Sequence, residues 1–414
     1  MKILFLTQFF SPETGAASKR VYGLARQLVK LGHEVHVVTG MPNYPSGRIK
    51  DEYKKKIFCF EKIDGINVSR YYVYVSKKRN TLNRMLNYFS LVLSSLFFLL
   101  KRREIDIIIT SSPPLFLGLT GVIMSKIKKI PHVFDIRDIW PEVAVEIGEL
   151  KEGSKVYKIM KRIEKIIYKN SDILTVVTKG KKTNLIKNGV EANKIKLVSN
   201  GFDEEFLEIP INKDIAERYN LIGKFNFLYA GIIGIAQGID IIIESAEKLK
   251  FNNEIQFVLV GNGVELERMK NLVREKKLSN VIFTGEQPHN NIRSFLHYSN
   301  VALVPLKSEA LKDSVPTKLY EALGAGRPVI LSASGDSVEV VKESRGGLVV
   351  KPGDIDSFVK AIEKLYKDKD FYEDCTINSK EYVIKNYSRT AIAKTLEKQL
   401  KLELDKSRDN SKNL

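Results

Sequence analysis

Short apolar runs of four to eight residues alternate, along nearly the whole chain, with longer stretches whose apolar positions recur every three or four. Runs that short and continuous suit strands buried on both faces, and the longer period suits amphipathic helices. The pattern therefore predicts parallel sheets assembled from right-handed crossover units. In the first half the predicted strands are Ile3–Leu6, Glu34–Thr39, Ile66–Val73, Ile105–Thr110, His132–Ile136, Ile173–Val177 and Ile195–Val198, with a helix over Ala17–Leu31 that ends at Gly32. In the second half they are Phe225–Ala230, Gln256–Val260, Val281–Thr284, Val301–Pro305, Val329–Ser332 and Gly347–Val350. Helices are predicted between these near Ile239–Leu249, Glu265–Lys277, Asn290–His297 and Pro316–Leu323, and after Gly353 the pattern is helical throughout.

The stretch Asn200–Asn220 has Asn-Gly, Pro210 and clustered acids but no period, and it reads as a link between two doubly wound domains. This gives an N-terminal domain over 1–200 and a C-terminal domain over 201–386. Residues 387–414 form a last helix packing back on the N-terminal domain, with a polar tail frayed from Asp405. Two Rossmann-like domains facing across a cleft would place a ligand at the carboxyl ends of their strands.

Charge sharpens the division. Residues 1–200 carry 36 Lys and Arg against 17 Asp and Glu, a net of +19, whereas residues 201–414 carry 31 against 32. The excess belongs to the first half and calls for an anionic partner there, unless it merely decorates a solvated face. Val156, Ile159, Met160, Ile163, Ile166 and Ile167 form an apolar stripe at helical spacing, opposite a face of Lys155, Lys158, Lys161, Arg162, Lys165 and Lys169. No aromatic residues interleave as stacking platforms, and no zinc-finger or recognition-helix spacing occurs. A membrane surface is thus a better partner than nucleic acid.

The apolar stretch Leu86–Leu100 has 15 residues, including Asn87 and three serines, between Arg84 and Lys101–Arg103. It is too short and too polar to span a bilayer. It is either a core helix or a helix lying in the membrane interface, and its basic flanks favour the interface. The opening apolar run is broken by Thr7, Gln8 and Pro12 before a signal core forms, so no export is expected. Cys59 and Cys375 make no metal pair or disulfide framework and read as buried apolar groups in a reducing compartment. The five histidines share no ligand spacing, so no metal is expected.

The segment most specific for chemistry is Leu311–Pro328, reading L-K-D-S-V-P-T-K-L-Y-E-A-L-G-A-G-R-P. Pro316 suits a first helical turn, and Gly324 with Gly326 ends the helix. Backbone N–H groups near Val315–Lys318 then point out of the helix start and can hold phosphate, with the Thr317 hydroxyl and the Lys318 cation at the same end. Asp313 precedes the helix and Glu321 lies one turn into it, so both carboxylates can face a sugar and its phosphates. Carboxylates in such turns are also ordinary partners of the helix dipole.

With this block in view, the chain resembles the family 4 glycosyltransferases of GT-B fold, especially bacterial polysaccharide glycosyltransferases similar to the N-acetylfucosamine transferase of O-antigen assembly. The likeness rests on Ser11, Pro12, Glu13 and Gly15 after the opening strand, and on Gly32–Val35. It also rests on D-I-R-D-I-W-P-E over Asp135–Glu142, Ser199–Gly201, Y-A-G-I-I-G-I-A-Q-G over Tyr229–Gly238, Gly261–Gly263, and Asp313–Glu321. The resemblance implies retaining transfer from a nucleotide-sugar, usually a UDP-sugar, without a required metal or other cofactor. It places Glu321 on the ribose and Asp313 beside the donor sugar, where relatives commonly have Glu.

Many relatives carry an Arg and a Lys after the strand ending at Tyr229–Gly231, where this chain has Ile235 and Gln237, so leaving-group charge falls to Lys318, Thr317 and backbone donors. The resemblance further implies donor contacts from Pro316, Leu319, Gly231, Gln237, Asn262, Gly263 and Gln287. It implies catalytic roles for Arg137 and Asp138, where relatives have a His-Asp pair, and an acceptor or phosphate loop of Gly15, Ala16 and Arg20. Arg137 cannot act as a base and would neutralise phosphate. A structural ion pair at the strand end is the simpler alternative for it and Asp138, and Trp140 either stacks on a sugar or packs between helices.

The reading is a cytoplasmic transferase, peripheral on the inner face of the cell membrane. It would add an N-acetylated amino- or deoxyamino-hexose from a UDP-sugar to an undecaprenyl diphosphate-linked saccharide during surface polysaccharide assembly. An epimerase or phosphorylase on the same fold would need a base or cofactor lysine that cannot be placed. A noncatalytic binder of anionic polymer would bind no nucleotide-sugar.

Overall fold

The computed structural model describes residues 1–13, 15–44, 46–76, 81–101, 104–146, 148–309 and 312–412. Leu311, Arg102 and Arg103, all singled out above, lie outside the described residues, as do the side chains of residues 97–101 within the apolar stretch. The chain divides into two compact units, Met1–Ser199 with Ile392–Leu414, and Asn200–Ala391.

The first unit holds one sheet of β1 (Lys2–Leu6), β2 (Glu34–Gly40), β3 (Phe58–Ile63), β4 (Ile66–Tyr71), β5 (Ile107–Ser111), β6 (His132–Ile136), β7 (Ile173–Val176) and β8 (Ile195–Leu197), ordered β3-β4-β2-β1-β5-β6-β7-β8. All neighbours are parallel except β3 and β4. Its helices are α1 (Ala16–Lys30), α2 (Thr81–Lys101), α3 (Phe116–Lys128), α4 (Glu142–Glu146), α5 (Lys155–Asn170) and α6 (Lys179–Lys187). Strand side chains alternate between two cores. Ile3, Phe5, Ile107, Ile109 and Val133 meet α1, while Leu4, Leu6, Ile108, Phe134 and Ile136 belong to the cores that take in α2, α3 and α5.

The second unit has an all-parallel sheet of β9 (Phe225–Ala230), β10 (Ile255–Val260), β11 (Val281–Gly285), β12 (Val301–Pro305), β13 (Val329–Ser332) and β14 (Gly347–Val350), ordered β11-β10-β9-β12-β13-β14. Around it run α7 (Asp214–Arg218), α8 (Asp240–Lys248), α9 (Leu266–Glu275), α10 (His289–His297), α11 (Thr317–Gly324), α12 (Asp336–Ser344), α13 (Ile355–Lys367) and α14 (Lys369–Tyr387). The strand order reverses between β9 and β12 here and between β1 and β5 in the first unit. Such reversals open a crevice at the strands' carboxyl ends.

Three expectations are corrected. The stretch 200–220 is no link: Phe202, Phe206, Ile215 and Ala216 are buried in the second unit's core, and the chain crosses between Ser199 and Asn200. The last helix, α15 (Arg389–Lys412), continues beyond Asp405, and from Ile392 it packs Ile392, Ala393, Leu396 and Leu400 into the α1 core of the first unit. Cys375 is buried, but Cys59 is only half-buried on the edge strand β3. Strand β3 itself was not predicted. Its Phe58 and Phe60 face outward, so it lacks the apolar run of a buried strand.

Among the described residues no helix is long and apolar enough to cross a membrane. Tyr88, Leu91 and Ser95 of α2 turn inward, while Leu86, Phe89 and Leu93 face out. The stretch therefore supplies core on one side and exposed surface on the other.

Candidate functional site

At the reversal point of the second unit, β9 ends in Tyr229, which is fully buried and donates its hydroxyl to Ile232 O at 2.5 Å. Gly231 follows at φ 149°, and its N–H bonds Val260 O at 2.9 Å. Beside it, Gly261 is so close that a Cβ would lie 1.8 Å from Gly231 O. Only glycines allow the two strand ends to meet in this way.

Lys318 reaches this turn from α11. Its Nζ stands 4.0 Å from the Tyr229 ring centroid, and a Cβ on Gly231 would fall 2.6 Å from it. Burial pulls the Lys318 pKa down to about 7, against the opposing pull of Glu321. Charged, the ammonium lies over an aromatic face that favours cations; an anion at the glycine turn would hold it in that form.

The loop that delivers α11 is pinned from α12: Ser337 Oγ donates to Ser314 O at 2.7 Å, and Asp336 N–H to Lys312 O at 2.8 Å. Pro316 is the cap residue at φ −64° and ψ 136° rather than the first helical residue. Thr317 is exposed and Asp313 half-buried. Near the helix start, the Thr317 and Lys318 N–H groups have no carbonyl one turn earlier to bond, as at any helix start.

Glu321 is 17% exposed, with Oε1 3.4 Å from Nε2 of His289 at the start of α10. The His289 ring lies 5.1 Å from that of Phe206. His289 shares no ligand spacing with the other histidines of the sequence. The signal that could have found it was its position just past β11, at a strand's carboxyl end.

Several candidates are placed differently from their expected roles. Leu319 is wholly buried in the core and its N–H bonds Pro316 O, so it offers a ligand neither side chain nor donor. Gln287 donates to Tyr219 Oη at 3.0 Å and Thr284 O at 3.2 Å and accepts from Asn291 at 3.2 Å, so its amide braces its own loop. Asn262 accepts from the Gly263 N–H at 2.8 Å, and a Cβ on Gly263 would lie 2.3 Å from Ile233 O, so both residues hold the strand-end turn. Gln237 closes a 3₁₀ turn over Ile235–Gln237, within the same strand-end loop as Gly231.

In the first unit, the matching reversal point gathers the loop after β1. Glu13 is buried and accepts from the Phe10, Asn43 and Tyr44 N–H groups at 3.1, 2.9 and 2.9 Å. Burial raises its pKa despite these three donors. Gly15 caps α1, where a Cβ would touch the Tyr44 ring at 3.0 Å, and Ala16 is exposed as the first helical residue.

Arg20 is corrected. It is 2% exposed, grips Asp135 through Nε and one terminal nitrogen at 3.1 and 2.8 Å, and donates to Ser199 O and Val198 O at 2.8 Å each. It is a core residue and no part of a phosphate loop. Burial alone would raise the Asp135 pKa, but Arg20 and Thr175 hold it below the ordinary carboxylate value.

At the end of β6, Arg137 is half-buried and its Nε has no hydrogen-bond partner among the described residues. Burial, with Arg20 nearby, lowers its pKa. Asp138 is 44% exposed, 3.9 Å from Lys181 Nζ. Trp140 packs against the α5 core. Among the described residues no three His, Cys, Asp or Glu side chains are grouped to hold a metal.

Two doubly wound units, one with a cation and a carboxylate at its reversal point, are the framework of a GT-B glycosyltransferase. Residues 17–206 match the sequence family Glycosyltransferase Family 4, and residues 213–382 match Glycosyl transferases group 1. The chain is 27% identical over 342 residues to the Escherichia coli K12 protein named "Putative colanic acid biosynthesis glycosyl transferase WcaI", across 80% of this chain and 83% of that one. It is 28% identical over 286 residues to the Escherichia coli UDP-Gal:alpha-D-GlcNAc-diphosphoundecaprenol alpha-1,3-galactosyltransferase, across 67% and 70%. Among solved structures, Anabaena Alr3699/HepE in complex with UDP has the same fold, with a TM-score of 0.72 at 17% identity over 97% of this chain and 100% of that one. The chain belongs to the family 4 glycosyltransferases.

Proposed function

We propose that the protein transfers a sugar from a UDP-sugar, with retention at the anomeric carbon, to a saccharide carried on undecaprenyl diphosphate during assembly of a bacterial surface polysaccharide. The sugar is an N-acetylated amino- or deoxyamino-hexose, and the enzyme works at the inner face of the cell membrane without a resident metal. The carrying observation is the Lys318 ammonium held at the Gly231 turn, one helical turn from the half-enclosed carboxylate of Glu321. A cation and a carboxylate so placed suit a diphosphate and the ribose hydroxyls next to it. UDP in the complex of Alr3699/HepE and the diphosphoundecaprenol in the galactosyltransferase's name support the donor and acceptor classes.

In the reaction, the bond between the anomeric carbon and the β-phosphate oxygen breaks. The acceptor oxygen bonds the same carbon on the same face, and its proton passes to the departing diphosphate. Lys318, with the first N–H groups of α11, meets the charge that grows on that leaving group. Glu321 orients the nucleotide, and His289 steadies the Glu321 carboxylate. Arg137 and Asp138 act on phosphate and acceptor hydroxyl.

The test is a thermal-shift titration with UDP, GDP and a panel of UDP-sugars. UDP stabilises the wild type by mass action. Glu321→Ala loses one charge-assisted contact and binds UDP roughly ten- to a hundredfold more weakly. A wild type that no nucleotide stabilises sinks the proposal.

A further inference from the structure

We propose that the outer face of α2, α3 and α5 is a docking surface that seats the first unit on an anionic lipid bilayer. Helices α2 and α3 pack together, as do α3 and α5, and the Phe89 and Phe116 rings meet at 4.6 Å. Their outward sides expose Leu93 at 70%, Ile127 at 57% and Ile159 at 55%, with Leu86, Phe89, Ile123, Val156 and Ile166 also exposed. The opposite side of the same sheet is an internal comparison: among the described residues, α1 and α15 expose one large apolar side chain, Leu402. A folding unit that covers one side and leaves the other bare has an occupant for the bare side.

Charge identifies that occupant. The three helices carry ten Lys and Arg, and their single acid, Glu164, is 2% exposed and ion-paired to Lys161. Helical spacing on α5 sets Ile159 and Ile166 between the buried stripe of Met160 and Ile167 and the basic stripe of Lys155, Lys158, Arg162, Lys165 and Lys169. Apolar groups would enter the acyl boundary while the lysines stay at the phosphates above it. A second copy of this chain would bring lysine against lysine, which disfavours self-association. Docked in this way, the enzyme would lie beside the lipid-linked acceptor proposed above, and failure to bind lipid would leave the donor chemistry intact.

Co-sedimentation of the full chain with phosphatidylcholine vesicles, with and without about one-third phosphatidylglycerol, tests this. The wild type should pellet with the anionic vesicles and release as salt is raised. Lys158→Gln with Arg162→Gln and Lys165→Gln should weaken partition roughly a hundredfold. Ile159→Ser with Ile166→Ser should lower it also at high salt, and Leu402→Ser should leave it unchanged. A circular-dichroism melt of each variant that matches the wild type reports that the first unit is folded. Absence of wild-type binding, or binding indifferent to both multiple variants, overturns the proposal. So does a dimer in sedimentation velocity that the Ile159/Ile166 variant dissolves.

Discussion

Lys318→Ala is expected to lower kcat/KM by two to three orders of magnitude, the usual effect of removing one preorganised donor from a site of developing negative charge. The Lys318 ammonium stands against the Gly231 turn, and Ile235 and Gln237 of the same loop bring no charge to it. Its pKa near 7 adds a pH signature. In the free protein the side chain loses its proton above pH 7, and a bound diphosphate restores it. UDP binding should therefore take up a proton, and its affinity should fall, by up to about tenfold per unit, between pH 7 and 8.5. Isothermal titration in buffers of different ionisation enthalpy measures that proton directly. Lys318→Arg keeps the charge and should flatten the profile. A wild-type affinity independent of pH over this range contradicts the assignment. The same lowered pKa makes the free protein more stable as pH rises from 7 toward 10.5, because the unfolded chain then holds a proton the folded one has lost.

Arg20→Ala is expected to destabilise the first unit by about 3–5 kcal/mol, since it leaves the Asp135 carboxylate buried without its counter-charge. A unit of this size loses on the order of 10 °C in Tm from such a change. Two further hydroxyls, Ser111 and Thr175, donate to Asp135 and hold it ionised, so a neutral Asp135→Asn does not rescue the loss fully. UDP should still stabilise the second unit of Arg20→Ala. Loss of nucleotide binding at unchanged stability would return Arg20 to the site.

Most strands were legible because parallel strands covered on both faces must be continuously apolar; β6, β9, β12, β13 and β14 begin and end where that pattern does. Strand β3 was missed for the converse reason, although the Asp64–Gly65 turn, both residues at positive φ, announces its hairpin with β4. The site was legible where one short segment carries it, as with Lys318 and Glu321. It was not legible where a side chain's direction decides: Arg20 and Leu319 sit in promising segments but point into cores. His289 reaches Glu321 from 32 residues away, through packing that no local spacing encodes.

The discontinuity of the first unit bears on the order of synthesis. Everything that unit needs is translated first, except the strip Ile392–Leu400 that closes its α1 core. On the ribosome it must wait, its core lacking Ile392, Ala393, Leu396 and Leu400, while the second unit emerges whole and folds. The enzyme's first-made half is thus finished last, and a chain stopped just short of Ile392 would release an intact second unit attached to a first unit that cannot close.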